Sequence, residues 1–239
     1  MLSEQLVNQI RLEAVQQDNP ISAVTKVVAN IQRDKLNEQI KRCSRCFIAS
    51  KNKSLICGQT DRAFILILAD YPNYEEVNSG EDFFPFEHTE VHSILRRLIS
   101  LYTDPLNIAW CNVVNCYPTE NQKLARPPTL SEIYNCNSYV FNLINYLQVI
   151  GNLRCIMTMG SIALTSLFPE LTIEQAKDKE QLDYFGTPIF PTHNLLYATG
   201  NTERSVARRE SVVLDIMSMF QQLMKHCPEL PIHKPQEKF

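Results

Sequence analysis

The spacing of apolar residues along the chain predicts helices at both ends and between them. Near the start, Leu2 and Leu6 begin a repeat at helical spacing, which Pro20 interrupts. Thr129 and Glu132 have the spacing of a capping box, which marks the start of a helix. The helices predicted in this way cover residues 1–41 in two parts, of which the second is 21–40, and then residues 90–101, 129–150, 161–168 and 203–225.

Short apolar runs between these helices predict β-strands. Residues 63–69 are apolar at every position, which is typical of a strand that is buried on both faces of a sheet. The other predicted strands cover residues 108–115, 155–159 and 188–191. Strands that alternate with helices indicate a parallel sheet with helices on both faces. The pattern therefore predicts the α/β class, as a three-layer αβα sandwich around a short, mainly parallel four-stranded sheet.

Three polar residues fall near the ends of predicted strands. Asp70 follows the first strand, Asn112 lies in the second and His193 follows the fourth. In an open parallel sheet the ligand site lies at the carboxyl ends of the strands. We therefore expect these three side chains to lie at one edge of the sheet.

Length and charge indicate how many domains the chain forms and which partners it can have. A chain of 239 residues with 44% hydrophobic residues can bury one sizeable core. We expect a helical extension over residues 1–41 packed on the domain, an αβα domain over 42–225 and a tail over 226–239. The net charge of −3 gives no overall attraction to nucleic acid, and a local basic excess around residues 33–53 is typical of a solvated face. Without a signal peptide or an apolar run of about 18 residues, a soluble cytoplasmic protein with no membrane partner is expected.

Eight cysteines indicate metal binding or burial, because disulfides are rare in a reducing cytosol. Cys43 and Cys46 form a Cys-x-x-Cys pair, Cys116 follows the apolar part of the second predicted strand, and Cys136 lies in the first turns of a predicted helix. Four thiolates from distant parts of a chain can hold zinc or an iron–sulfur cluster, and the ligand type alone leaves both open. Such a site would fix the N-terminal segment to the core.

The order of five motifs resembles the iron–sulfur branch of the uracil-DNA glycosylase superfamily. In that branch a strand ends in Gly-Glu-Ala-Pro-Gly, an acidic loop ends in Pro-Phe, a later strand carries Asn-x-Val-x-Cys-x-Pro, a fourth cysteine opens the next helix, and Thr-Tyr-His-Pro-Ser closes the series. The cysteine quartet in this order is the specific part of the resemblance, which covers about residues 40–220. The matching stretches are residues 69–73 (Ala-Asp-Tyr-Pro-Asn), 80–86 (Gly-Glu-Asp-Phe-Phe-Pro-Phe), 112–118, Cys136 and 191–195 (Pro-Thr-His-Asn-Leu).

The resemblance implies hydrolysis of an N-glycosidic bond, with two catalytic residues. Asp70 matches the family's glutamate, and its carboxylate would stabilise the oxocarbenium-like sugar or orient a water. His193 would donate a hydrogen bond to the departing base as negative charge develops there. Judged without the resemblance, Asp70 is typical of an aspartate that caps a turn, and His193 of a structural histidine.

The resemblance also implies a pocket for a flipped base and a metal cofactor. Phe86 would stack on the base and Asn112 would read its edge, with the orientation of the amide deciding between uracil and cytosine. Tyr71 and Asn73 replace small residues of the family motif and would reshape the pocket. The cysteine quartet would hold a [4Fe-4S] cluster, with zinc as the alternative.

The segment after the histidine resembles the loop that enters duplex DNA in this family. Leu195, Leu196 and Tyr197 would wedge into the gap that the flipped base leaves. Arg204 and Arg208 would contact phosphates. The alternative is that the leucines belong to the core and the arginines to a solvated helix face.

The departures from the family motifs predict a changed substrate. We expect a DNA glycosylase that acts as a monomer on a modified pyrimidine. We expect it to be monofunctional, without strand cleavage, because neither the Asp70 nor the His193 motif offers a lysine for a Schiff base. The superfamily that the chain resembles looks to include members that strip hypermodified bases, such as glucosylated hydroxymethylcytosine, from phage DNA in antiviral defence. The resemblance implies that this chain could be one of them. Uracil removal in base-excision repair is the first alternative. A non-catalytic DNA-binding protein on the same scaffold is the second.

Overall fold

The computed structural model describes residues 20–48, 53–58, 60–73, 77, 90–119, 126–150, 152–195 and 202–235. The predicted helix before Pro20 and the predicted site residues Phe86, Leu196 and Tyr197 lie outside them. In the described part of the chain, no helix is both long and apolar enough to span a bilayer. The helices are α1 (Pro20–Lys41), α2 (Glu90–Ser100), α3 (Leu130–Val149), α4 (Ser161–Leu167), α5 (Ile173–Lys177) and α6 (Glu203–His226), and the strands are β1 (Ile65–Ala69), β2 (Ile108–Asn112), β3 (Cys155–Met159), β4 (Asp183–Tyr184) and β5 (Thr187–Thr192).

The sheet is mainly parallel, as the sequence predicts, but it has five strands instead of four. Their order is β2-β1-β3-β5-β4, and β4 alone among them runs antiparallel, to β5. β4 has two residues, which is too short to produce a recognisable period in the sequence. The turn after it places Phe185 and Gly186 at φ angles of 50° and 81°, the left-handed region that a two-residue hairpin turn requires.

The strand β2 ends at Asn112, earlier than the predicted end at residue 115. The backbone N–H groups of Val113 and Val114 still donate to the chain at the end of β1, to the carbonyl oxygens of Ala69 at 2.8 Å and Asp70 at 3.1 Å. The apolar run is therefore longer than the regular strand because these residues remain hydrogen-bonded and buried beyond the ladder.

The inner strands are buried on both faces, which is what their unbroken apolar runs predict. On one face Leu66, Leu68 and Ile156 pack with residues of α1, α3 and α4. On the other face Ile65 and Met157 pack with residues of α2 and α6. The two cores are separated because successive side chains of a strand point to opposite sides of the sheet. The predicted αβα sandwich is confirmed.

The end of α1 is fixed to the domain by both apolar and polar contacts. Leu36 and Ile40 are buried in the core beside α3. Asn37 pairs with the backbone of Ile56: its Nδ2 donates to the carbonyl oxygen at 3.0 Å, and its Oδ1 accepts from the N–H at 2.9 Å. The described part of the N-terminal extension therefore packs on the sheet domain just before the first cysteine pair.

The predicted capping box at the start of α3 is confirmed. The N–H of Glu132 donates to the Thr129 hydroxyl at 3.3 Å, and the N–H of Thr129 donates to the Glu132 carboxylate at 2.7 Å. Arg126 donates to both oxygens of the same carboxylate, at 2.6 and 2.8 Å. This guanidinium lowers the pKa of Glu132.

Candidate functional site

The carboxyl ends of the parallel strands form one edge of the sheet, and the predicted polar residues lie along it. Strands β1, β3 and β5 end in register. The residues that follow them, Asp70, Gly160 and His193, therefore lie side by side. Asn112 ends β2 on the other side of β1. The structure thus brings the two predicted catalytic residues to the same edge, with one strand between them.

The carboxylate of Asp70 is buried, with only 1% of the residue exposed. The backbone N–H of Ala163 donates to its Oδ1 at 2.8 Å, and Nδ2 of Asn194 donates to its Oδ2 at 3.1 Å. The N–H of Ile162 adds a further bond. Asp70 thus caps the first turn of α4, which is the structural role that the residues alone suggested. Burial outweighs these hydrogen bonds and raises the pKa of Asp70 to about 6.

The raised pKa of Asp70 means that its ionised form destabilises the folded chain. Because the folded chain binds the proton more tightly than the unfolded chain, the contribution of Asp70 to stability falls as the pH rises from about 4 to about 6 and is constant above that. A pKa that is higher by about 2 corresponds to about 3 kcal/mol. An ionised carboxylate that lowers the stability of the fold by this amount, next to a cleft, is typical of a functional residue.

Gly160, which is not among the site residues predicted from the sequence, allows the carboxylate to approach α4. It has a φ of 112°, and a Cβ at this position would lie 2.1 Å from Oδ2 of Asp70. Its N–H donates to the carbonyl oxygen of Thr192 at 2.9 Å, which joins the end of β3 to the end of β5. A glycine between an apolar strand and a helix was the available signal, and it would have indicated a close contact without naming Asp70.

A cleft of about 440 Å³ opens beside this edge, between α4, α5 and the start of α6. His193 and Asn194 line it from the end of β5, and Glu174 and Arg208 line it from the two helices. The volume is in the range of small-molecule sites, which is about 300–1,000 Å³. Of the predicted catalytic pair, His193 reaches the cleft directly, whereas Asp70 lies behind Asn194.

The imidazole of His193 is half-buried and its surroundings favour the neutral form. Burial is the largest cause that lowers its pKa, and the positive charges of Lys177 and Arg208 lower it further. The negative charges of Glu174 and Asp215 oppose this change without reversing it. At neutral pH the ring is therefore uncharged, and one of its nitrogens carries a proton that it can donate.

Asn194 is a site residue that the sequence does not single out, since it only stands where the motif of the glycosylases has proline. Its side chain is mostly buried, lines the cleft and donates to Asp70. An amide can donate to a carboxylate, and a proline at this position could not. The two residues that differ from the glycosylase motifs, aspartate in place of glutamate and asparagine in place of proline, are therefore in direct contact.

The predicted base-binding residues are only partly covered by the described part of the chain. Asn112 is buried and its Nδ2 donates to the hydroxyl of Ser54 at 2.8 Å, away from the cleft lining. Tyr71 is partly buried and packs against the core on that face of the sheet, and Asn73 is half-buried in the loop that follows. Phe86 lies outside the described residues. The base pocket therefore stays a prediction at these positions.

Leu195 requires a correction among the predicted DNA contacts. It is 4% exposed and packs in the core with residues of α6, so it is not available to enter DNA. Leu195 is therefore a core residue, which was the alternative to a DNA wedge. Arg204 is exposed in the first turn of α6, whereas Arg208 lines the cleft. Neither position tests a phosphate contact.

The loop that carries the first cysteine pair is docked on the start of α3. Arg45, between Cys43 and Cys46, donates to the hydroxyl of Ser138 at 2.7 Å. Its guanidinium also lies 4.8 Å from the centre of the Tyr139 ring, a cation–π distance. These contacts bring both thiols to the helix that contains the fourth predicted ligand.

The four predicted ligands lie near one another but are not in ligand geometry. Burial raises the pKa of the Cys136 thiol to about 12, and charge on Cys116, Cys46 and Cys43 raises it as well. In the described residues, no three cysteine, histidine or acidic side chains are positioned to hold a metal ion. The donor chemistry fits a thiolate-held metal group, because metal binding releases the protons that burial otherwise retains.

No protein-family model and no curated protein matches this chain.

Proposed function

We propose that this protein is a monofunctional DNA glycosylase that flips out a modified pyrimidine and hydrolyses its N-glycosidic bond, acting as a monomer on DNA. The observation that carries the proposal is the common edge of the sheet at which Asp70, Asn194 and His193 meet beside a cleft. The resemblance of the motif order to the iron–sulfur glycosylases supplies the reaction class. A hypermodified base such as glucosylated hydroxymethylcytosine, removed in antiviral defence, is the substrate we favour.

In this proposal His193 and Asp70 stabilise opposite charges. His193, neutral at the edge of the cleft, donates a hydrogen bond to the oxygen of the base that departs. Asp70 acts through its charge, because both of its oxygens are occupied and the residue is buried. A buried carboxylate is poorly screened by solvent, so its charge would act on the positive sugar more strongly than that of an exposed one. Orientation of a water by Asp70 would require its hydrogen bonds to rearrange.

A second candidate, a non-catalytic DNA-binding protein on this scaffold, is favoured by one observation. Asp70 already serves as the acceptor that caps α4, and it does not line the cleft. Uracil removal in repair uses the same site and differs only in the base accepted. The three candidates therefore separate by which base, if any, is released.

Excision assays on a panel of duplexes test the proposal. We expect the full chain to release a base from duplexes that carry 5-hydroxymethylcytosine or its glucosylated form, and to leave an intact abasic strand. A uracil duplex and an unmodified duplex are run beside them. Efficient release of uracil alone would overturn the altered substrate, and binding without any release would favour the second candidate.

For the cofactor, we propose that Cys43, Cys46, Cys116 and Cys136 hold a [4Fe-4S] cluster, with zinc as the alternative. The group would supply a structural cross-link between the loop after α1, the end of β2 and the start of α3. The thiols would have to close around it and lose their protons.

Metal analysis of Cys136→Ser tests this assignment. We expect the wild-type chain, purified without oxygen, to be brown with about four iron atoms, and the variant to lose most of its iron. Cys155→Ser is the matched control, because Cys155 is also buried but lies on the opposite face of the sheet. A colourless wild type with one zinc would establish the alternative. A metal-free, folded wild type would show that the thiols serve packing only.

A further inference from the structure

A polar network joins α5, β5 and α6 next to His193. Oδ2 of Asp215 accepts hydrogen bonds from Nζ of Lys177 and from the hydroxyl of Thr192, each at 2.6 Å. Lys177 also donates to the hydroxyl of Ser211 at 2.9 Å. One carboxylate oxygen therefore connects the last residue of α5, the last residue of β5 and the middle of α6.

Thr192, which precedes His193, is held from two sides. The residue is fully buried, and its hydroxyl donates to Asp215. Its carbonyl oxygen accepts from the N–H of Gly160 at 2.9 Å. The peptide that leads into His193 is thus fixed to α6 on one side and to the end of β3 on the other. This restricts where the imidazole can lie relative to the cleft.

The charges of the network act on His193 in opposite directions. Lys177 lowers the pKa of the imidazole and Asp215 raises it. Glu174, one turn before Lys177 in α5, also raises it, and Arg208 of α6 lowers it. Lys177 and Asp215 are partly buried, with side chains 26% and 20% exposed, so their effects are only partly screened. Within the ion pair the effect of Lys177 on His193 is larger than that of Asp215, so the pair as a whole favours the neutral imidazole.

We propose that Thr192, Asp215 and Lys177 form a positioning network that holds His193 at the edge of the cleft. None of the three is assigned contact with substrate, so each acts through His193. The assignment of His193 as a hydrogen-bond donor to the base rests on the proposed function. Control of His193 by the network is a property of the free protein and is measured without substrate.

The first test is an NMR titration of the His193 imidazole in the full chain, with the signal assigned by its absence in His193→Gln. Lys177→Met leaves Asp215 uncompensated, and we expect it to raise the measured pKa by about 0.5 or more. Asp215→Asn leaves Lys177 uncompensated and is expected to lower the pKa of His193, by less than Lys177→Met raises it. The double variant should return toward the wild type. Lys179→Met, which removes an exposed lysine nearby, should leave the titration unchanged.

The outcomes distinguish a failure of the positioning network from a failure of the proposed glycosylase function. If the two single variants titrate like the wild type, the network is overturned, whatever the chain excises. Thr192→Val removes the hydroxyl and keeps the shape, and we expect it to lower the excision rate about tenfold or more, with Thr192→Ser restoring it. Wild-type excision by Thr192→Val would overturn the positioning role. A wild type that excises nothing would overturn the proposed function, while the titration still decides whether the network controls His193.

Discussion

Asp70→Asn is expected to lower the rate of base excision by about 100-fold or more while the chain stays folded. Asparagine has nearly the same shape and keeps an acceptor for the N–H of Ala163, which Asp70 accepts at 2.8 Å. It lacks the negative charge that would stabilise the sugar in the transition state. Single-turnover excision, on the substrate that the panel identifies, measures the effect.

Stability measurements distinguish this result from simple loss of a cap. Because ionised Asp70 is a buried charge with a pKa raised to about 6, we expect Asp70→Asn to be at least as stable as the wild type at pH 8. The free energy of unfolding of the wild type should increase relative to that of the variant as the pH falls from about 6 to about 4. Asp178→Asn, at an exposed aspartate, is the control. A variant that excises normally, or that unfolds at pH 8, would assign Asp70 to structure alone.

Gly160→Ala is expected to destabilise the chain by about 3 kcal/mol or more and to reduce excision with it. The added methyl group would lie 2.1 Å from Oδ2 and 2.4 Å from Oδ1 of Asp70, so the carboxylate or α4 must move. The φ of 112° adds strain for any residue with a Cβ. Urea unfolding measures the change in the free energy of unfolding.

Gly186→Ala is the matched control for this prediction. Gly186 also has a positive φ, 81°, but nothing lies within 4 Å of a Cβ placed there. Its variant should therefore show the backbone strain alone, about 1–2 kcal/mol, and normal excision. Equal losses of stability in the two variants would show that the contact between Gly160 and Asp70 adds nothing.

Much of the fold was predictable because burial leaves a strong pattern in this sequence. Strands such as β1 and β3 are apolar at every position since helices cover both faces of the sheet. The capping box fixed the start of α3, because both of its hydrogen bonds are local. β4 was not predictable, since it is two residues long and exists only by pairing with β5.

The site was only partly predictable, because its contacts join residues that are far apart in the chain. Asp70 was identified from its place after a strand, but its partners Ala163 and Asn194 are 93 and 124 residues away. The role of Asn194 depends on that pairing and leaves no local pattern. Leu195 shows the same difficulty, since an apolar residue after a strand suits either the core or a DNA wedge until its burial is known.

The bond between Asp70 and Asn194 also bears on how the molecule assembles. Closing a loop of this length carries a large entropy cost, which contacts between β3 and β5 must offset first. During synthesis Asp70 leaves the ribosome long before Asn194, so this bond can form only after the whole chain through β5 has been made. A nascent or truncated chain that stops short of β5 would have the strand end that carries Asp70 but neither His193 nor Asn194 beside it.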